Sequence, residues 1–218
     1  MSDVIGVLLV DDHALLRESL ADRLATEPGL KVLGTASGAE DALELLDELR
    51  PDVVLLDIDM PGTSCFDAAR SIRSRQPQAR VVFLSAFSND RYIESALEAH
   101  ATGYVTKDER PSVVIQAVRS AAADVAYFSP KIQARLVVDT DGLHLTGGSA
   151  SRSSLLTLRE LEVLRQLSRG LSKKEIATLL DLSVKTVSRH AENLMAKLDI
   201  HDRVELARFA IREGLAEA

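Results

Sequence analysis

The sequence predicts two modules: a doubly wound α/β sheet of five parallel strands, then a small all-α module of four helices. Three observations predict this fold class. Five short apolar runs alternate with amphipathic helical segments through the first 125 residues. Turn signals such as Pro28-Gly29 and Gln76-Pro77 separate the helices from the strands that follow them. From Thr157 onward, in contrast, apolar residues recur only at helical spacing.

The apolar runs of the first module are its predicted strands. They span residues 4–10, 30–33, 53–56, 81–84 and 103–105. The predicted helices span residues 14–25, 39–49, 65–75, 90–99 and 111–123. Pro111 suits the first turn of its helix, and Ser37-x-x-Glu40 fits a capping box. Such a sheet needs helices on both faces, and we expect the strand order 2-1-3-4-5.

A polar, glycine-rich stretch separates the two modules. The alternation of strands and helices stops after Phe128, a short helix can follow Pro130, and "DTDGLHLTGGSASRSS" is typical of a flexible linker. We predict domains at residues 1–125 and 154–218, joined by a linker at residues 126–153. The helices of the second domain are predicted at residues 158–169, 173–180, 184–198 and 203–213. Their starts and ends are marked by the capping residues Thr157, Ser172 and Asp202 and by Gly170 and Gly214.

Composition and charge narrow the class of protein. An apolar content of 46% supports buried cores, and a single cysteine rules out an intrachain disulfide framework. No apolar stretch approaches the length of a membrane span, so we expect a soluble, cytoplasmic protein with no membrane partner. The net charge is −7, but it is uneven, because residues 1–128 carry 12 basic and 21 acidic side chains, whereas the rest of the chain has a small basic excess. This asymmetry predicts different partners for the two modules.

Polar residues follow four strands of the predicted sheet. Asp11 and Asp12 follow strand 1, Asp57 ends strand 3, Ser85 ends strand 4 and Lys107 follows strand 5. Ligands bind beyond the carboxyl ends of parallel strands where the strand order reverses, so these side chains should line one pocket. A single aspartate could be only a helix N-cap, as Asp12 could be for the first helix. Capping does not account for three acids, a hydroxyl and an ammonium group together.

The donors of this pocket are oxygen atoms, and Mg²⁺ prefers such a site when room remains for water. The cation would offset the repulsion between Asp11 and Asp12. It would also neutralise a phosphoryl group arriving at Asp57, whose carboxylate can act as a nucleophile. Lys107 can pair with the phosphoryl oxygens, and the Ser85 hydroxyl can hydrogen-bond to another. The residues therefore predict phosphoryl transfer with Mg²⁺ as cofactor.

These residues make the first 125 positions resemble a bacterial response-regulator receiver domain, which has a flavodoxin-like fold. The matching positions are Asp11-Asp12, "DIDMPG" at 57–62, Ser85-Ala86, Tyr104 and Lys107. The resemblance implies that a histidine kinase phosphorylates Asp57. It implies that Mg²⁺ is held by Asp12, Asp57 and the main-chain carbonyl of Asp59, with Asp11 reaching the ion through water.

The same resemblance implies a switch pair formed by Ser85 and Tyr104. The hydroxyl moves towards the phosphoryl group, and the aromatic ring follows it inward. Two positions depart from the usual family pattern: Cys65 in "MPGTSC" and His100 in "EAHATGY" each stand where a glycine is common. Both lie outside the acidic pocket. These two departures can change the geometry of their loops and the free energy of switching. The backbone of His100 is strained if it adopts a left-handed conformation.

The segment 184–198 carries the candidate nucleic-acid contacts. Its apolar positions Val184, Val187, Ala191, Leu194 and Leu198 form one predicted buried stripe. The preceding helix and the tight "DLS" turn favour a helix-turn-helix over an ordinary amphipathic surface helix. Arginine can read guanine and glutamate can accept from cytosine, whereas lysine and serine can hold phosphates. The candidate DNA-binding residues are Lys173, Lys174, Lys185, Thr186, Ser188, Arg189 and Glu192.

Residues 155–210 resemble a LuxR-type helix-turn-helix domain. The match rests on "LTLRELEVL", "GLSKKEIATLLDLSVKTVSRHAENLMAKL" and "DRVELARFA". It implies that residues 184–198 are the recognition helix and that the last helix often supplies a dimer contact. With the first module, the chain resembles the NarL/FixJ class of response regulators. A homodimer on inverted-repeat double-stranded DNA is therefore expected, at least in the active state.

We interpret the chain as a DNA-binding transcription regulator switched by phosphorylation of Asp57, and not as an enzyme. An alternative keeps the architecture but makes the receiver a phosphorylation-independent interaction module. A phosphatase with an aspartyl nucleophile would need a substrate cap, for which no insertion is present. A flavodoxin-like cofactor binder would need a phosphate-binding loop where this chain has "DDHALL".

Overall fold

The computed structural model describes residues 4–139, 142–145 and 152–216. The described residues form two compact units. One unit contains the residues up to Ala86 together with Ser95–Leu136, and the other contains Phe87–Glu94 together with the residues from Val137 onward. Within the described residues, no helix combines the length and the apolar character needed to cross a membrane.

The first unit is built on a parallel sheet with the order β2-β1-β3-β4-β5-β6. Its strands are β1 (Ile5–Val10), β2 (Leu30–Ala36), β3 (Val53–Asp57), β4 (Arg80–Ser85), β5 (Gly103–Thr106) and β6 (Tyr127–Phe128). The predicted order of the first five strands is confirmed. The short β6 is an addition at the β5 edge, since two residues are too few to give a detectable strand pattern.

Helices cover both faces of this sheet. The helices up to residue 133 are α1 (Ala14–Ala25), α2 (Ala39–Leu49), α3 (Cys65–Arg75), α4 (Asp90–Glu98), α5 (Pro111–Ala122) and the one-turn α6 (Pro130–Gln133), and α4 is divided between the two units. Alternate strand residues such as Val7, Leu55 and Val105 pack with α1 and α5 in one buried cluster. The predicted Pro111 start is confirmed, but the capping box at Ser37 is wrong, because the α2 N-cap is Gly38.

The two positions that depart from the receiver pattern have different environments. His100 has a φ of 56°, so its backbone does adopt the left-handed conformation that the sequence left open. A side chain in this region of backbone space costs about 1–2 kcal/mol, because its Cβ approaches the following carbonyl oxygen. Cys65 begins α3 and is buried. Its thiol therefore contributes to packing at the start of that helix.

The range predicted as linker contains regular structure. The helix expected after Pro130 is present as α6, and two further strands, β7 (Leu136–Asp139) and β8 (Gly142–Leu145), pair with each other. The polar, glycine-rich sequence concealed this pair, because four-residue strands hardly show an alternation of polar and apolar residues. Residues 140–141 and 146–151 of the predicted linker lie outside the described residues.

Four longer helices form most of the second unit: α7 (Leu158–Ser168), α8 (Lys173–Leu179), α9 (Val184–Leu198) and α10 (Arg203–Arg212). Both reciprocal capping boxes, at Thr157 and Ser172, are present, and Asp202 caps α10 by accepting from the Glu205 amide. The α9 stripe is buried except at Val184, which is 42% exposed. Its predicted burial is wrong, because Val184 is the first residue of the helix and no earlier turn covers it.

Candidate functional site

Lys107 lies between two buried carboxylates at the carboxyl edge of the sheet. Its Nζ is 2.7 Å from Asp57 Oδ2 and 2.8 Å from Asp11 Oδ2. The Asp57 and Asp11 side chains are 0% and 1% exposed, whereas that of Lys107 is 15% exposed. One ammonium group thus faces two carboxylates that water barely reaches, and the local charge is negative.

Main-chain hydrogen bonds fix these side chains at the strand ends. The Lys107 amide donates to the Ser85 carbonyl at 2.7 Å, and the Asp11 amide donates to the Ala36 carbonyl at 3.1 Å. The Asp59 amide donates to Asp57 Oδ1 at 3.1 Å. The loop after β3 therefore holds one oxygen of Asp57, while Lys107 holds the other.

Burial raises the pKa of Asp57 to about 6, against an ordinary value of 3.8. Lys107 opposes this rise, and the negative charge of Asp11 adds to it. For Lys107, burial alone would lower the pKa, but Asp57 and Asp11 raise it overall. The Lys107 ammonium group therefore stays charged at neutral pH.

His13 also contacts the acidic residues, which the sequence did not predict. Its Nδ1 is 2.8 Å from Asp12 Oδ1, and its amide donates to Asp11 Oδ1 at 2.8 Å. His13, and not Asp12, is the N-cap residue of α1, so the capping interpretation of Asp12 is wrong. Arg17, one turn into α1, donates to the Asp11 carbonyl at 2.5 Å. Only the position of His13 next to the acidic pair could have indicated this contact.

A divalent cation fits the chemistry of this cluster. Ligand atoms of Asp11, Asp12, His13 and Asp57 all lie within 4.8 Å of one another. Three of the four groups are carboxylates, which suits Mg²⁺, and Asp12 is partly exposed. A cation bound there would offset the negative charge of Asp11, which adds to the rise that burial causes in the pKa of Asp57.

The two remaining predicted residues of the pocket lie on neighbouring strands. Ser85 ends β4 opposite Thr106, and its side chain is fully buried. Tyr104 lies opposite Phe83 on the same strand pair, and it is also fully buried. The pocket thus brings together Asp11, Asp12, Asp57, Asp59, Ser85 and Lys107, whereas Tyr104 lies deeper along β5.

The predicted DNA-contacting residues lie on α8 and α9. Lys173 and Lys174 are exposed in the first turn of α8. Of the predicted contact residues on α9, Lys185, Arg189 and Glu192 have exposed side chains. Thr186 and Ser188 are half-buried, and the Thr186 hydroxyl lies 2.8 Å from Ser183 Oγ. Thr186 is therefore part of the helix cap.

The turn between α8 and α9 is tight. Asp181 has a φ of 50°, and the Leu182 amide donates to the Ala177 carbonyl at 2.8 Å. Ser183 then caps α9, with its Oγ accepting from the Thr186 amide at 3.0 Å. These bonds fix the direction in which α9 leaves α8, as a helix-turn-helix requires.

Two family models match the chain. The response regulator receiver domain matches residues 7–119, and the family of bacterial regulatory proteins described as luxR matches residues 154–210. The first range contains the acidic pocket, and the second contains α7 to α9 with most of α10.

Full-length relatives share both parts. The transcriptional activator protein ExaE of Pseudomonas putida is 38% identical and covers 97% of this chain and 98% of its own. The nitrate/nitrite response regulator protein NarP of Escherichia coli is 34% identical, covering 91% and 90%. The promoter-bound structure of RcsB from Salmonella enterica has a TM-score of 0.66 at 23% identity, covering 95% and 98%. The chain therefore belongs to the NarL/FixJ class of two-component response regulators, which are DNA-binding transcription regulators and not enzymes.

Proposed function

We propose that Asp57 is the phosphoacceptor through which a histidine kinase switches this transcription regulator. The observation that carries the proposal is the Lys107 bridge between two buried carboxylates. Lys107 holds the Asp57 carboxylate in one orientation and can pair with phosphoryl oxygens afterwards. Asp57 lies at the carboxyl edge of the sheet, where a phosphodonor can approach.

The covalent step is a transfer from nitrogen to oxygen. A carboxylate oxygen of Asp57 attacks the phosphorus of the kinase phosphohistidine, the new O–P bond forms, and the P–N bond breaks. The bonding electron pair leaves with the histidine nitrogen, and Asp57 becomes an acyl phosphate. Asp12, Asp57 and the Asp59 carbonyl would hold Mg²⁺ directly, and Asp11 would hold it through water. When bound, Mg²⁺ supplies positive charge to the phosphoryl oxygens.

The chain's own residues then respond to the new charge. Lys107 pairs with a phosphoryl oxygen, the Ser85 hydroxyl donates to another, and Tyr104 follows inward. Such a local change can bias dimerisation or the arrangement of the domains. In a cytoplasmic homodimer, two copies of α9 would contact inverted half-sites about one helical turn apart. The RcsB structure with the same fold is bound to a promoter in the presence of the phosphomimetic BeF3⁻, which is the kind of complex that we propose for this chain.

Intact-mass spectrometry tests the proposal. The full chain is incubated with Mg²⁺ and a small phosphodonor beside Asp57→Ala and the control Asp67→Ala, in which an exposed carboxylate is removed. We expect a hydrolytically labile gain of one phosphoryl group in the wild type and the control. It should be absent from Asp57→Ala and in EDTA. A gain retained by Asp57→Ala would exclude Asp57 as the acceptor. No gain under any condition would favour the phosphorylation-independent interaction module.

A further inference from the structure

A short segment after α5, residues 127–133, lies along the β5 edge, and we call it the strap. Tyr127 and Phe128 pair in parallel with Gly103 and Tyr104. The Tyr127 amide donates to the Thr102 carbonyl at 2.9 Å, and the Ser129 amide donates to the Tyr104 carbonyl at 3.0 Å. The strap is thus hydrogen-bonded to β5. This strand contains Tyr104, the proposed switch residue, and Lys107 follows directly after it.

Gly103 permits this close approach. A Cβ at Gly103 would lie 2.7 Å from the Tyr127 carbonyl oxygen and 3.2 Å from a Val82 methyl group. The first of these neighbours is backbone, which cannot rotate away as a side-chain end can. Any larger residue at position 103 would therefore push the strap off β5.

The strap is held mainly by buried apolar side chains. Phe128 is 7% exposed and Ile132 is 0% exposed. Lys131 forms an ion pair with Asp108, next to Lys107, but both partners are largely exposed, so the pair adds little stability. Ser129 is fully buried, and its Oγ has no hydrogen-bond partner among the described residues. An unsatisfied buried hydroxyl costs about 1–3 kcal/mol, so it lowers the free energy needed to open the strap.

We propose that the strap positions Tyr104 and Lys107 for the phosphoryl chemistry at Asp57, and that phosphorylation tightens it against β5. This inference rests on the proposed role of Asp57. Lys107 is tied to β4 through the Ser85 carbonyl, and Tyr104 is tied to the strap through the Ser129 amide. A phosphoryl group adds a partner for Lys107 at the end of β5, so β5 should open less often. The strap is the first part of the range predicted as linker, and residues 134 and 135 join it to β7.

Hydrogen-exchange mass spectrometry of the full chain, with and without Mg²⁺ and BeF3⁻, tests this inference. The Tyr127 and Ser129 amides exchange only when the strap leaves β5. We expect their exchange to slow by about threefold or more on adding the phosphomimetic in the wild type. No change is expected in Asp57→Asn. Slower exchange around β3 with unchanged strap amides would overturn the inference.

Two glycine variants test whether displacing the strap slows phosphoryl uptake at Asp57. Gly103→Ala should speed exchange of the strap amides and slow phosphoryl uptake, each by about threefold or more. Gly34→Ala is the matched control on the opposite sheet edge, where the near neighbour is only the tip of the Leu49 side chain. It should leave both rates nearly unchanged. Normal uptake in a Gly103→Ala chain with a displaced strap would contradict the positioning role.

A smaller change keeps the inference testable if Gly103→Ala does not fold. Ser129→Ala removes the unsatisfied hydroxyl without adding volume, so it should slow strap exchange and leave phosphoryl uptake at least as fast. Faster strap exchange in this variant would contradict the inference. If the wild-type chain takes up neither phosphoryl group nor BeF3⁻, the proposed function and the inference both fail. Uptake without a strap response overturns the inference alone.

Discussion

The Lys197 Nζ lies 2.7 Å from Glu160 Oε2, although the Glu160 side chain is only 3% exposed. The same carboxylate closes the capping box of α7 by accepting from the Thr157 amide at 2.8 Å. Burial would raise the pKa of Glu160, but the Lys197 ammonium and the Thr157 amide together hold it below its usual range. One carboxylate therefore joins the start of α7 to the last turn of α9.

Replacing Glu160 by glutamine should loosen both helices. The folded-state pKa is lowered, so the stability that the ionised group contributes is present above the unfolded value of 4.5. It is lost as pH falls through the lower folded value. We expect Glu160→Gln to reduce protection of the α7 and α9 amides by about 1–2 kcal/mol at pH 7. Hydrogen exchange checks this effect, and the difference from the wild type should shrink towards pH 4. The exposed Glu192→Gln is the control, and an equal loss there would refute the assignment.

Removing the charge of Asp57 should stabilise the unphosphorylated, metal-free protein. The unfolded chain ionises this group near pH 4, whereas the folded chain retains the proton until about pH 6. The folded state therefore binds more protons in this window, and its stability falls as pH rises through it. Asp57→Asn avoids that loss. It should be more stable than the wild type by about 3 kcal/mol at pH 7.5, with the gap closing towards pH 4.

Urea unfolding in EDTA, followed across this pH range, measures the effect. The exposed Asp67→Asn serves as the control and should follow the wild-type profile. Parallel profiles for Asp57→Asn and the wild type would show that burial of Asp57 carries no such penalty.

Loss of Lys107 should have the opposite effect on stability. Lys107→Ala leaves Asp11 and Asp57 buried without their shared cation, at a cost of about 3 kcal/mol. Mg²⁺ should recover part of this loss, because a bound cation stabilises only the folded state. Urea unfolding with EDTA and with Mg²⁺ measures both quantities, with the exposed Lys31→Ala on β2 as control. A Lys107→Ala chain as stable as the control would argue against the charge bridge.

The exposed residues of α8 and α9 should separate into two kinds of DNA contact. Arg189→Ala should cost about 1–3 kcal/mol on a preferred site and reduce discrimination against altered bases. Lys174→Ala should weaken binding to all sequences and reduce the salt dependence of the binding constant by about one unit of slope. Fluorescence anisotropy with DNA selected by the wild-type chain checks both, with Lys31→Ala as control. If Arg189→Ala weakened binding to preferred and altered sites equally, as is expected of Lys174→Ala, the assignment of Arg189 to base contacts would be contradicted.

The left-handed backbone of His100 predicts a stabilising substitution. His100→Gly should raise the free energy of unfolding by about 1 kcal/mol, because glycine adopts a φ of 56° without the Cβ penalty. Ala101→Gly, at a neighbouring position where the backbone is not left-handed, should be neutral or destabilising. Thermal unfolding compares the two variants. A loss of stability in His100→Gly would indicate that contacts of the imidazole outweigh the strain.

The sequence predicted most of the regular structure because long periodic segments carry a strong signal. Helices α3 and α9 were predicted with the observed bounds, since apolar residues recur at helical spacing along most of each helix. The Tyr127–Phe128 strand was missed, because its stability comes from pairing with β5 and from the close approach at Gly103. Contacts of this kind between distant residues do not affect the spacing of apolar residues within the segment itself.

The acidic pocket was predictable for a related reason. Its members follow separate strands, and the parallel topology brings strand ends together. His13 was missed because its contact depends on how the loop after β1 turns, which the Asp11 side chain fixes by accepting from the His13 amide. Likewise, exposure of Val184 follows from its place in the first turn of α9.

The β6 strand also limits how copies of this chain can aggregate. An open sheet offers unpaired amides and carbonyls at its edges, where a strand of another molecule can add. Here one edge ends in a two-residue strand followed at once by Ser129 and Pro130, and proline lacks an amide donor. The other edge, β2, has an irregular register opposite Val7 and Leu8 and an exposed Lys31. Both edges of the sheet thus carry features that disfavour the addition of a strand from another molecule.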